Sequence, residues 1–138
     1  MSEFLNFVGE SSSHEADSLT VAEASCCLDR FTQAFNACDS TAMDAELHFP
    51  HIMLSGAQTL VWERPGQHPL DLFPSLRQVG WASTRYESRQ PLLTSSAKVH
   101  FLVVYTRRNV AGEVLSTHHN LWVVSKVAGK WGIALRSY

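Results

Sequence analysis

The chain has 138 residues, is 45% hydrophobic and 17% charged, and carries a formal net charge of −2. This describes one folded domain rather than a disordered chain, and the lack of a basic block argues against nucleic acid as a partner. No apolar stretch approaches the roughly 18–20 residues of a membrane helix, and Glu3, Glu10, Glu15 and Asp17 without any Lys or Arg do not make a secretory leader, so a cytoplasmic protein with no membrane partner is expected.

Residues 1–17 read as a flexible lead-in, polar at Gly9-Glu10-Ser11-Ser12-Ser13, although Phe4, Leu5, Phe7 and Val8 are apolar enough to dock on the body or on a partner subunit. Residues 18–138 read as a single domain. Thr20-Val21-Ala22-Glu23 matches a capping box, in which Thr accepts from the third backbone N–H and Glu reaches back to the cap. Ala24, Cys27, Leu28, Phe31, Ala34, Phe35 and Cys38 then recur at helical spacing. Cys26, Cys27 and Cys38 all fall on this helix, as small hydrophobes rather than a disulfide framework.

Asp39-Ser40 ends that helix and caps a short one over residues 41–47. Phe49 to Leu54 reads as a strand, Ser55-Gly56-Ala57 as a turn and Gln58 to Glu63 as the returning strand. Asp71 caps a third helix with Leu72, Phe73, Leu76 and Val79 on its apolar face, and Gly80 ends it. Trp81 to Arg89 returns to strand, and residues 90–97 read as a loop. Three long strands follow, Lys98 to Arg108, Glu113 to Lys126 and Lys130 to Tyr138, joined by short Gly-containing turns. Strands this long must twist and coil, so helices on one side of a bent sheet are expected to enclose a pocket, an α+β architecture.

This order, with Phe35-Asn36-Ala37-Cys38-Asp39, Leu47-His48-Phe49-Pro50-His51, Gly80-Trp81 and Ala128-Gly129-Lys130-Trp131-Gly132-Ile133, resembles the nuclear transport factor 2-like family. That family includes ketosteroid isomerases, polyketide cyclases of the SnoaL type and limonene epoxide hydrolase, and the wording here resembles its uncharacterised bacterial branch. The resemblance implies a cone of three helices packed on a strongly curved, mostly antiparallel six-stranded sheet. It also implies a homodimer through the sheet face turned away from the pocket, for which Trp122 and Val124 are available.

The family's chemistry does not transfer directly. The isomerase base is an Asp before a Pro, and Phe49 stands there. Counting from Gly112, the oxyanion-binding Asp falls on Leu121. For an epoxide hydrolase, Arg85 and Arg136 lack two flanking acids. Histidine is the side chain that titrates near neutral pH unaided, and His51 and His119 share strand faces with those two positions, so they are the catalytic candidates. His48 with His51, and His118 with His119, diverge on a strand and do not make a metal site; no metal and no cofactor is expected. Arg136 and Tyr138 alternate with Trp131, Ile133 and Leu135, and the sequence leaves open which set faces the pocket. If Arg136 faces inward it binds a carboxylate.

The expected ligand-binding set is Phe31, Phe35, His51, Trp81, His119, Arg136 and Tyr138. The first functional reading is binding of a small apolar or aromatic ligand bearing an acid group. The alternatives are a cyclase- or isomerase-type enzyme with a His base, and a protein-interaction module.

Overall fold

The computed structural model describes residues 2–9 and 11–138; Met1 and Glu10, the latter within the expected lead-in, lie outside the described residues. Helix α1 (Glu3–Phe7) precedes α2 (Ser18–Asn36), α3 (Ser40–Asp44), β1 (Leu47–Ser55), β2 (Gln58–Trp62) and α4 (Leu72–Gln78). The strands β3 (Ser83–Ser95), β4 (Lys98–Arg108), β5 (Val114–Val127) and β6 (Lys130–Ser137) complete one six-stranded sheet in the order β2-β1-β6-β5-β4-β3. Every neighbouring pair is antiparallel except β1 with β6. Among the described residues no helix is long and apolar enough to cross a membrane.

The stripe read from the sequence is the one α2 buries: Ala24, Cys27, Leu28, Phe31 and Ala34 lie against the sheet. Each large side chain so buried contributes about 1.5–3 kcal/mol. The cap differs from expectation. Asp17, not Thr20, accepts from the Leu19 N–H at 3.1 Å, and the Thr20 hydroxyl donates to the same carboxylate. Asp is as good a cap as Thr, and starting earlier places Thr20 against the body. At the other end Cys38 leaves the helix, with φ +54° and the Asp39 N–H reaching back to Ala34 O, the closing bond of a Schellman turn. Burial pushes the Cys27 thiol up to about 12, which makes it an inert core group.

The expected loop over residues 90–97 is instead mostly strand. β3 runs on to Ser95, with register breaks at Tyr86/Ser88 and Pro91/Leu93. As the sheet's edge strand it tolerates Pro91 within its run. The lead-in is tied to this edge by paired backbone hydrogen bonds between Ser13 and Thr94, while α1 buries none of its residues.

Trp122 and Val124 do not lie on the outer face. They point into the cone, where the Trp122 ring meets Phe31 edge-on at 5.8 Å. The reason is a bulge opposite Arg107/Arg108, where Leu115 has no partner and the alternation of β5 shifts by one. From there on Asn120, Trp122 and Val124 face inward and His119, Leu121 and Val123 face outward.

Candidate functional site

A second bulge builds the site. Val123 pairs with Leu135 and Val124 with Ile133, so Ala134 is the extra residue in β6. A strict two-residue alternation would force a choice between Ile133 and Arg136. With one residue skipped, Ile133 and Arg136 both face inward, on opposite sides of the kink. Ile133 joins the core under α2, and Arg136, opposite Trp122, enters the cone.

Arg136 is 6% exposed and lies among aromatic rings. Its guanidinium carbon is 5.2 Å from the Phe31 ring centre, 5.8 Å from Trp62, and 5.9 Å from both Trp122 and Tyr138. Ring faces attract a cation but accept few hydrogen bonds. Nε donates to His51 Nε2 at 2.9 Å, and Nη2 has only the weak thioether acceptor of Met53 at 3.4 Å. No carboxylate of the described residues comes within 4.0 Å. The end-on fork formed by Nη1 and Nη2, the geometry that grips a carboxylate with two parallel bonds, therefore has no strong protein acceptor.

His51 orients this arginine. Its Nδ1 lies 2.9 Å from Ile133 O, and a carbonyl only accepts, so the proton is on Nδ1 and Nε2 is free to accept from Arg136. Burial, then the Arg136 charge, lowers its pKa to about 3, although the Ile133 bond opposes the shift. His51 is thus a neutral acceptor with both nitrogens engaged.

The cavity in front of Arg136 has a volume of ≈ 220 Å³. Phe31, Phe35, Trp62, Tyr86, Tyr105 and Trp122 form much of its wall. Arg107 also lines it, and no Asp or Glu does among the described residues. Trp122 Nε1 and Arg107 Nε are buried without hydrogen-bond partners, so the unmet polar groups in this wall include further donors. His68 contributes to the wall too. Its Nε2 lies 2.8 Å from Asp44 Oδ1, but neither atom gains a well-directed hydrogen bond there, and Nδ1 is also buried and unpaired. Asp44 is otherwise held by the Gly66 N–H at 2.9 Å. Burial lowers the His68 pKa against the pull of Asp44.

Solved structures share this architecture. A protein of unknown function with a cystatin-like fold from Nostoc punctiforme aligns over 89% of this chain and 92% of its own, with 16% identity and a TM-score of 0.67. A ketosteroid isomerase-like protein from Erwinia carotovora atroseptica aligns over 84% of this chain and 92% of its own, with 20% identity and a TM-score of 0.61. A nuclear transport factor 2-like protein from Novosphingobium aromaticivorans aligns over 86% and 79%, with 14% identity and a TM-score of 0.60.

The chain has the nuclear transport factor 2-like fold.

No protein-family model matches it, and comparison with curated proteins finds no match. Within this cone, four of the side chains named from the sequence line the cavity: Phe31, Phe35, Arg136 and Tyr138. His51 stands behind Arg136. Trp81 backs Phe35 edge-on at 5.5 Å, with its Nε1–H donated to Thr84 Oγ1. His119 lies on the exposed outer face, displaced by the Leu115 bulge; the inward histidine is His118, stacked on Tyr105 at 4.9 Å and bonded to Ser116 Oγ. The same bulge turns Leu121 outward. The inward group at that level is Asn120, a neutral amide donating to Tyr105 Oη at 3.2 Å. Tyr105 and Trp122, which the sequence reading missed, were signalled by the alternation Phe101, Val103, Tyr105 on β4 and Asn120, Trp122, Val124 on β5.

Proposed function

We propose that the protein binds a small aromatic acid in the cone, its ring among the aromatic side chains and its carboxylate on Arg136. The observation that carries this reading is a nearly buried arginine without an acidic partner among the described residues, facing a cavity. A buried charge with no counter-ion destabilises the empty protein, and a bound carboxylate relieves that penalty. An engineered apolar cavity of about 150 Å³ holds benzene; by that measure this one suits a ring system of one to two rings. The histidines do not favour proton transfer, since His51 has both nitrogens engaged and the ring nitrogens of His68 are buried.

Titration with 2-naphthoate, followed by calorimetry and tryptophan fluorescence, is expected to saturate. The neutral 2-naphthylmethanol should bind at least about tenfold more weakly, the worth of one charge-assisted hydrogen bond. Equal affinity for the alcohol, or no saturation by the acid, overturns the reading.

The outer sheet face supports a homodimer. Leu93, Leu102, Leu121, Val123 and Leu135 lie together there, with Leu102 directly opposite Leu121. An apolar sheet face of this kind is a natural contact with a second copy. Sedimentation should give twice the 15.4 kDa chain mass, and Leu102→Glu combined with Leu121→Glu should give the monomer. A wild-type monomer at high micromolar concentration would leave that face for a different partner.

A further inference from the structure

The geometry points to a second acceptor-binding subsite at Arg107, so that the ligand class is an aromatic acid carrying a second carboxylate or equivalent acceptor at its far end. This rests on the reading of Arg136 above. Arg107 lines the same cavity from β4, beside its cross-strand partner Thr84, which also lines it. Its guanidinium makes no ion pair with any described residue, and its Nε is buried without a partner. The neighbouring arginines of this region are otherwise committed: Arg108 bonds Glu87 and Gly112 O, and Arg85 lies 3.8 Å from Glu87. Arg107 is on the opposite face of the strand from that acid, as its pairing with Ser116 and Thr84 requires.

The spacing defines the ligand's length. Arg107 pairs with Ser116, and Arg136 pairs with Trp122, six residues further along the same strand β5. Six strand residues span about 20 Å, and the two long side chains shorten this gap from both ends. Tyr105, paired with His118 between those two levels, and Trp122, beside Arg136, line this stretch with ring centres 6.0 Å apart. The unpaired Trp122 indole N–H adds a donor along this path. A monoacid would leave the Arg107 end of an acid-free cavity unmet; a rigid diacid satisfies both ends.

The test compares 2-naphthoate with naphthalene-2,6-dicarboxylate and biphenyl-4,4′-dicarboxylate, by calorimetry on the full-length protein. At least one diacid is expected to bind about tenfold or more tighter than the monoacid. Arg107→Gln should bring that ratio close to one, Arg107→Lys should restore part of it, and Arg136→Gln should weaken monoacid and diacids alike. Thermal melts of each variant separate lost binding from lost folding. Equal affinity of monoacid and diacids, or an Arg107→Gln effect that leaves their ratio unchanged, overturns the second subsite while the Arg136 reading stands. Saturation by neither class overturns both.

Discussion

Arg136→Met is expected to lose acid binding by about a hundredfold or more and to leave the unliganded protein more stable, not less. The guanidinium is nearly buried and has no carboxylate within 4.0 Å among the described residues. Replacing such a charge by an apolar side chain of similar length removes a desolvation penalty, and comparable replacements have stabilised proteins by about 1–4 kcal/mol. Part of that gain is offset. His51 Nε2 loses its donor, at about 1 kcal/mol, and four ring faces lose their cation. A net rise of about 1–2 kcal/mol is therefore expected in denaturant unfolding, read as a higher midpoint at constant slope. A residue kept at the expense of stability belongs to function. Destabilisation by the methionine, with naphthoate binding retained, would make Arg136 structural and end the binding proposal.

The second large effect is acid destabilisation through His51. Its folded-state pKa, about 3, lies below the ordinary histidine value, so the unfolded chain takes up the proton first. Above pH 6.5 the group is neutral in both states and its contribution to stability is fully present. As pH falls from about 6.5 toward 3 that contribution is lost, on the order of 4 kcal/mol in all. His68, His100 and His118 are lowered chiefly by burial and act in the same direction. His51→Gln keeps a neutral side chain able to accept from Arg136 but removes the titration. Its stability should therefore fall less steeply than wild type between pH 6.5 and 4, measured by urea unfolding at a series of pH values. Parallel profiles would mean that His51 titrates normally. In Arg136→Met the loss should be smaller and level off at a higher pH, because the positive neighbour that helps to hold His51 unprotonated is gone and its folded-state pKa lies closer to the unfolded value.

Much of the fold was legible because its signals are local. The helical stripe of α2, the Gly-containing turns between the last three strands and the paired runs of β1 and β2 each depend on neighbours within a few residues. The loop expected over residues 90–97 is mostly strand, and Pro91 fits there because β3 is an edge strand, a position that only the assembled sheet defines. The site was legible only in part. Phe31 and Phe35 followed from helical spacing, since a helix has one buried stripe. His119 and the outer-face assignment of Trp122 and Val124 failed at Leu115, where one unpaired residue reverses every later side chain.

What the sequence determined by itself was an α+β fold, the order of its main helices and strands, an aromatic helix face and an arginine near the chain's end that lacks nearby acids. The tertiary structure decided which way that arginine points. A bulge at Ala134 places Ile133 in the core and Arg136 in the cone at once, an outcome that strict alternation does not allow. The physical reason is that strand parity is set by cross-strand hydrogen-bond register, which is a property of two chain segments and not of either alone.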